Sequence, residues 1–276
     1  MPTENPRLDD EAVLKFVVRG YHLVHPDLPA KLNERVYSAC SALAENPGNG
    51  IYTAVPALRE VYEHPSVQGS LASLLGTDYR MNAHRHLHTT PAHYLHSQNW
   101  HQDSTNVRHH QIQTVLAMYY PQEVTPESGP TVILPASHFR NAPTDRMASY
   151  ANIRGQLFLN VPAGTVAIVH YDIWHAGTLN RSDNPRHMLK FLFDRRSEPL
   201  TPSWNHNPNL SSDAVQNRIM EMAGPPIGYC SDFYKEWQLR RNMWDWLCGK
   251  RKNLAPGGFK ELLGQDAESE QKENTV

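Results

Sequence analysis

Short apolar segments separated by turns dominate the middle of the chain. These segments occupy residues 112–120, 131–134, 166–170 and 189–193. Segments this short, rich in β-branched and aromatic residues and interrupted by Gly and Pro, favour strands over helices. A succession of such strands predicts a mainly β fold with additional α-helices. We interpret its core as a double-stranded β-helix, the jelly-roll or cupin-like form.

Helical patterns precede the strands. Residues 8–20 carry an apolar stripe, with two aspartates near the start that favour the helix dipole and a glycine at the end. A short strand is predicted at 21–24. Further helices are predicted at 29–45 and 57–75, the second with a break near Pro65. We expect these N-terminal helices to pack on the β core.

The composition changes after Pro199, where Pro, Asn and Ser become frequent. Two more helices are predicted at 214–223 and 232–248, and the residues after them are charged and polar. The chain is therefore divided into a jelly-roll domain with N-terminal helices, a helical C-terminal extension packed on it and a flexible tail, at residues 1–199, 200–256 and 257–276.

The overall charge and the cysteines limit the possible partners and the compartment. The formal net charge is −2, so the sequence predicts neither a nucleic-acid partner nor binding to a membrane surface. Cys40, Cys230 and Cys248 form neither a CxxC pair nor a disulfide framework. The first ten residues lack the features of a signal peptide, and no long apolar run predicts a membrane span. We expect a cytoplasmic location.

A His-x-Asp pair occurs within the sequence Trp-His-Gln-Asp at 100–103. In an extended segment, residues i and i+2 point to the same face, so His101 and Asp103 can hold one metal ion together. His175 is the best candidate for a third ligand. Two His and one carboxylate, with the other positions open, form the ligand set of non-haem Fe(II) oxygenases. The pair alone is weak because the chain contains 16 His.

A second histidine pattern lies nearer the N-terminus. His84, His86 and His88 alternate, so a strand would place them on one face. They could form a second metal site or replace the triad above. They could also line the approach to an active site or cover an exposed sheet face. We favour a role in lining the approach or covering the sheet face over a metal site, because no carboxylate or Cys lies nearby in the sequence.

Four motifs in order carry a family resemblance. They are Trp-His-Gln-Asp at 100–103, Glu-Ser-Gly-Pro at 127–130, Leu-Pro-Ala-Ser-His at 134–138, and the stretch from His175 through Asn-Arg-Ser at 180–182 to Arg186. Together they resemble the phytanoyl-CoA dioxygenase family, which depends on Fe(II) and 2-oxoglutarate. The resemblance covers roughly residues 10–195, and the order of the motifs is far more specific than any one of them.

The resemblance implies a set of site residues. His101, Asp103 and His175 would be the catalytic metal ligands, with Fe(II), 2-oxoglutarate and dioxygen as cofactor and co-reactants. Arg186, eleven residues after His175, would hold the far carboxylate of 2-oxoglutarate, because a guanidinium offers two parallel donors. Arg181 is its rival.

Other positions have less certain counterparts in the family. A basic residue of the preceding strand often contacts 2-oxoglutarate in the family, but Thr89, Thr90 and Pro91 stand at that place here. Arg85, His86 or His88 could substitute for it. In the family, the His that corresponds to His138 is structural.

The resemblance also bears on the reaction. Relatives that halogenate have a small residue where Asp103 stands, so its carboxylate favours hydroxylation or another oxygenation. We expect a small polar metabolite as substrate, since no basic patch for the phosphates of CoA is evident. Residues 143–160 are interpreted as a lid or substrate loop. The sequence does not predict an oligomeric state.

Two other classes of function remain open at this point. One is a cupin-type metal enzyme that does not use 2-oxoglutarate, although such enzymes usually ligate through several His and a Glu. The other is a jelly-roll binding protein without catalytic activity. Release of succinate from 2-oxoglutarate would distinguish the dioxygenase from both.

Overall fold

The computed structural model describes residues 5–29, 31–104, 107–141, 152–224 and 231–250. The α-helices in these ranges are α1 (Asp10–Arg19), α2 (Leu32–Ser41), α3 (Ile51–Ala54), α4 (Leu58–Tyr62), α5 (Pro65–Leu75), α6 (Ser212–Ala223) and α7 (Ser231–Leu247). The strands are β1 (Tyr21–Val24), β2 (Arg80–Thr90), β3 (Thr114–Tyr119), β4 (Thr131–Leu134), β5 (Leu157–Phe158), β6 (Val166–His170), β7 (Trp174–Gly177) and β8 (Arg186–Asp194).

Two antiparallel sheets form the β part of the protein. The larger has the strand order β1-β6-β3-β8-β2, and the smaller has the order β5-β4-β7. Every pair of neighbouring strands in both sheets is antiparallel. The predicted fold class, a mixed chain dominated by β structure with packed helices, is confirmed.

The larger sheet has an apolar layer on each face, because alternate residues of a strand point to opposite sides. Leu116 and Met118 of β3 belong to one buried cluster, which also contains Ile133 of the smaller sheet. Val115 and Ala117 of β3 belong to a second cluster, formed with the helices. The sheet is thus covered on one face by the smaller sheet and on the other by helices.

The observed boundaries agree with the sequence in most elements. The strands predicted at 21–24, 131–134 and 166–170 have those limits in the structure. Helix α1 ends at Gly20, whose φ of 79° is in the left-handed region that glycine adopts readily. The break predicted near Pro65 lies there, since this proline opens α5. Part of the predicted lid, 142–151, and the predicted tail lie outside the described residues.

One boundary was predicted too late. The strand predicted at 189–193 begins three residues earlier, because β8 starts at Arg186. Arg186, His187 and Lys190 interrupt its apolar pattern, yet all three are buried. Arg186 and Lys190 are buried with specific hydrogen-bond partners, Gly129 and Asp103.

The segment after the larger sheet is tied to the first helix of the chain. Asp10 Oδ1 accepts hydrogen bonds from Trp204 Nε1 at 2.6 Å and His206 Nδ1 at 2.7 Å, and Asp10 Oδ2 accepts one from the Asn207 amide at 2.9 Å. Trp204 also packs against Trp244 of α7 at a centroid distance of 5.3 Å. These contacts support our proposal that residues 200–256 are an extension packed on the core.

Replacing Asp10 by Ala should lower the free energy of unfolding by about 2 kcal/mol. The change leaves three donors without their acceptor, one of them on the buried Trp204. Denaturant unfolding would measure the loss. Exposed Asp27 provides the control, since its replacement by Ala should stay within about 0.5 kcal/mol of the wild type.

The same contact gives a pH dependence. Burial would raise the pKa of Asp10, but the hydrogen bonds from His206 and Trp204 outweigh it and hold the pKa below its ordinary value of 3.8. The contribution of Asp10 is therefore present above the ordinary value and is lost as the pH falls through the lower folded pKa. The difference between the wild type and Asp10→Ala should shrink in that acidic range; a constant difference would contradict this assignment.

Candidate metal centre

His101 and His175 lie side by side because their backbones are paired. They form an isolated antiparallel bridge, in which the His101 amide donates to the His175 carbonyl at 3.1 Å and the His175 amide donates to the His101 carbonyl at 2.9 Å. The ring centroids are 4.3 Å apart. Strand β7, which carries His175, thus gains a partner at its second edge, and this partner carries the other imidazole.

Backbone carbonyls orient both rings. His101 Nδ1 lies 2.8 Å from the Asn99 carbonyl oxygen, and His175 Nδ1 lies 3.1 Å from that of Ile173. A carbonyl oxygen only accepts, so both Nδ1 atoms are the donors, and in the neutral imidazole this tautomer leaves the Nε2 lone pair available to a metal. These Nε2 atoms face Asp103, at 3.9 Å from its Oδ1 for His101 and 3.7 Å from its Oδ2 for His175.

The three predicted ligands therefore converge. Ligand atoms of His101, Asp103 and His175 all lie within 4.8 Å of one another, and no other group of three such residues does so in the described ranges. Burial lowers the pKa of His175 to about 4, with a further contribution from His101, so its imidazole is neutral at neutral pH. Burial would raise the pKa of Asp103, but His175 and Lys190 outweigh it and lower the pKa.

A cavity of about 520 Å³ opens beside this centre. Arg186, Met188 and Lys190 line it together with His101 and His175. The first three are alternate residues of β8 and so share a face of the sheet. The volume lies in the range of small-molecule sites.

Arg186 is a buried cation in this cavity. The residue is 3% exposed, and its Nε donates a hydrogen bond to the Gly129 carbonyl oxygen at 3.0 Å. Burial lowers its pKa, and among the described residues no carboxylate forms an ion pair with it. Arg181, its rival in the sequence, is exposed and is not among the described residues of the cavity wall.

Gly129 of the Glu-Ser-Gly-Pro motif and Asn180 hold the backbone around Arg186 in place. Gly129 has a φ of 74°, and a Cβ there would lie 3.0 Å from the Thr178 carbonyl oxygen, so the position requires glycine. The side-chain Nδ2 of Asn180 donates to the carbonyl oxygens of Thr90, Pro91 and Asn184, at 3.1, 2.9 and 2.9 Å. Asn180 thus braces the loop that connects β7 to β8.

If Arg186 holds 2-oxoglutarate, as the family resemblance implies, Asn180→Ala should raise the KM for 2-oxoglutarate about tenfold or more and change metal affinity little. The substitution frees the loop that leads to Arg186, while the triad keeps its own backbone contacts. Steady-state kinetics and metal titration would separate the two effects. Asn184→Ala is the control, because its side chain is exposed and only its carbonyl is used; an equal effect of both changes would contradict the role of Asn180.

Two further residues of the sequence motifs lie outside the ligand cluster. His138 is buried against His170 and Phe139, with its Nε2 3.2 Å from the Val17 carbonyl oxygen, which agrees with its interpretation as structural. The side-chain Nε2 of Gln102 donates to Ser104 Oγ at 2.7 Å. Neither belongs to the cluster of ligand atoms.

The alternating histidines divide into two groups. His84 and His86 are neighbours, with ring centroids 4.0 Å apart, but His88 alone of the three lines the cavity. Its Nε2 is buried without a hydrogen-bond partner. Burial, followed by the charge of Lys190, lowers the pKa of His88 to about 3. The described structure does not bring the three together as a metal cluster, so the interpretation as a replacement triad is not supported.

Comparison with known proteins identifies the family. The model of the phytanoyl-CoA dioxygenase (PhyH) family matches residues 41–188, which is more than half of the chain. The chain belongs to the phytanoyl-CoA dioxygenase family. This PhyH protein is an enzyme of the Fe(II)- and 2-oxoglutarate-dependent class, and its cofactor and co-reactants are Fe(II), 2-oxoglutarate and dioxygen. No curated protein matches the chain.

Solved structures share the fold of this PhyH protein. The non-heme monooxygenase ThoJ in its apo form is 19% identical with a TM-score of 0.57, over 84% of this chain and 98% of ThoJ. HygX from Streptomyces hygroscopicus, solved with nickel and 2-oxoglutarate bound, is 13% identical with a TM-score of 0.57, over 75% and 93%. The α-ketoglutarate-dependent carbocyclase SnoK from nogalamycin biosynthesis is 21% identical with a TM-score of 0.54, over 70% and 87%.

In the described part of this PhyH protein, no helix combines the length and the apolar character that crossing a bilayer requires.

Proposed function

We propose that this protein couples the oxidative decarboxylation of 2-oxoglutarate to the hydroxylation of a small-molecule substrate. His101, Asp103 and His175 would hold the metal, and Arg186 would hold the far carboxylate of 2-oxoglutarate. The observation that carries the proposal is the convergence of the three ligands beside a cavity that also contains a buried arginine.

The donor set fits Fe(II). Two neutral imidazole nitrogens and one carboxylate form the facial set that leaves positions open for a co-reactant and dioxygen. The carbonyl contacts of both Nδ1 atoms keep the rings in the tautomer and orientation that ligation requires. Bound Fe(II) would supply the activation of dioxygen that links formation of succinate and carbon dioxide to oxidation of a C–H bond of the substrate.

The protein's own groups bind and orient the co-reactant. Arg186 can offer a guanidinium edge to a carboxylate, because Gly129 engages only its Nε. His88 is our candidate for the second contact, since its buried Nε2 has no partner in the cavity wall. Arg85 is less suited, as its guanidinium lies 5.8 Å from the ring centroid of Tyr52.

Asp103 supports oxygenation over halogenation. In a halogenating relative, a small residue at this position leaves room for halide beside the metal. Here the carboxylate lies among the ligand atoms and is held by Lys190 at 2.8 Å. We therefore propose that the substrate receives oxygen and no halogen.

The test is a substrate screen with Fe(II), 2-oxoglutarate, dioxygen and excess chloride. Succinate release should depend on the substrate, and mass spectrometry should show a product heavier by one oxygen atom, or its desaturated or demethylated descendant. Asp103→Gly should lose this activity. A chlorinated product from the wild type, or full turnover by Asp103→Gly, would show that the role of Asp103 is misassigned.

A further inference from the structure

Lys190 is a buried cation inside a strand of the cavity wall. The residue is 8% exposed, and its Nζ lies 2.8 Å from Asp103 Oδ2. An ammonium group has three donors, and burial of a charge is costly unless it is compensated. One contact to Asp103 leaves two donors, on a side chain that lines the cavity.

The cavity wall offers Lys190 no second acid. Among the described residues that line the cavity, none is Asp or Glu. Asp103, which pairs with Lys190, is not among these lining residues and is one of the candidate metal ligands. His88, which is near Lys190, is a neutral group because burial and Lys190 lower its pKa to about 3.

The loaded site would therefore carry an excess positive charge. A metal dication, Arg186 and Lys190 would contribute four positive charges, while Asp103 and the 2-oxoglutarate dianion would contribute three negative ones. One positive charge remains, on a wall where the two cationic residues Arg186 and Lys190 are buried, and uncompensated buried charge is unfavourable. A substrate with a single negative charge would neutralise it.

Arg186 and Lys190 are directed to different parts of the site. They are four residues apart in β8, so their Cα atoms are roughly 13 Å apart along an extended strand. Lys190 contacts Asp103, one of the candidate metal ligands, whereas Arg186 contacts the Gly129 carbonyl oxygen. The two cations thus offer separate positions for two anions along one face.

We propose that Lys190 selects substrates with an anionic group, a carboxylate or a phosphoryl group, which its ammonium binds beside the metal. This inference rests on the proposed function, because the second anion is 2-oxoglutarate at Arg186. It makes Lys190 a specificity-determining residue and names the substrate class as small organic anions.

The test measures binding without turnover. Zn(II), which has no redox chemistry, replaces Fe(II), and 2-oxoglutarate is added to saturation so that Arg186 is occupied. Inorganic phosphate, acetate and its neutral counterpart acetamide are then titrated, with tryptophan fluorescence as the readout. We expect phosphate and acetate to bind the wild type at least tenfold more tightly than acetamide.

Substitutions that remove or keep the positive charge of Lys190 test its role in the anion preference. Lys190→Met should lose the preference for the anions, and Lys190→Arg should keep it. Lys31→Met, the same substitution at an exposed lysine that does not line the cavity, should leave it unchanged. Lys190→Met should still bind Zn(II) and 2-oxoglutarate, which would show that the site is folded.

The contrary results are equally defined. If the wild type shows no preference for the anions, or if Lys190→Met keeps it, Lys190 is only a counter-ion of Asp103 and this inference fails. If the wild type binds neither Zn(II) nor 2-oxoglutarate, the proposed function itself fails, and the inference with it. Binding of Zn(II) and 2-oxoglutarate therefore tests the proposed function, and titration of phosphate, acetate and acetamide tests this inference.

Discussion

His101→Ala should reduce affinity for Fe(II) by more than about 100-fold and abolish succinate release. Loss of an outer partner of a metal ligand typically costs about 10–100-fold in affinity or activity, so loss of a ligand should cost more. His101 suits this test better than His175, because its side chain is 39% exposed and its truncation leaves no large buried void. The backbone bridge to His175 does not depend on the side chain.

Metal titration of the apoprotein measures this effect directly. His96→Ala is the matched control, since His96 is exposed and lies on the same cavity wall but is outside the ligand cluster. It should keep the metal affinity of the wild type. Added imidazole should restore part of the affinity of His101→Ala. If His101→Ala binds metal as well as His96→Ala does, the triad assignment is wrong.

Arg186→Ala should raise the KM for 2-oxoglutarate about 100-fold. A charge-assisted, bidentate hydrogen bond to a carboxylate contributes a few kcal/mol, and each 1.4 kcal/mol corresponds to about tenfold. Metal affinity should change little, because no described contact joins Arg186 to the triad. Arg186→Lys should be intermediate, since an ammonium keeps the charge but loses the planar fork.

Arg181→Ala is the control for this effect. Arg181 has the same charge and follows His175 by six residues, but it is exposed. Steady-state kinetics with 2-oxoglutarate as the varied substrate would compare the two variants, and circular dichroism would check that each is folded. A large effect at Arg181 with none at Arg186 would reverse the assignment made from spacing and burial.

The sequence predicted residue types and local periodicity well. His101 and Asp103 were paired from the two-residue repeat of extended chain, and their ligand atoms do lie close together, although Asp103 itself lies in a bend. The helix end at Gly20 and the break at Pro65 follow from the backbone preferences of these residues. Such features depend on a few neighbouring residues, so they can be read from the sequence.

Long-range pairing could not be predicted in this way. Nothing near His101 or His175 indicates that their backbones form a bridge, because that depends on the register of distant segments. The support of Arg186 by Gly129 and Asn180 is likewise a product of tertiary structure. The motifs containing these residues were recognised, but their physical role was not.

Lys190 was missed although a signal existed. A single lysine stands within the apolar sequence at 189–193, and lysine is rarely buried unless it is paired. That exception within a core strand could have marked a functional position. The strand was instead interpreted by its apolar majority, which describes the packing of its neighbours and not the cavity that Lys190 faces.

The bridge between His101 and His175 has a consequence for the stability of this wall. Residues 93–99 are exposed, and the segment is joined to β7 through the bridge and through Gln98, whose amide donates to the Gly177 carbonyl and whose side chain accepts from the Gly177 amide. A bound metal would link positions 101 and 175 through their side chains as well, closing a loop of more than seventy residues. Metal binding and folding would then be thermodynamically coupled. A bound metal would rigidify the cavity entrance, and the entrance would be more mobile in the enzyme without metal.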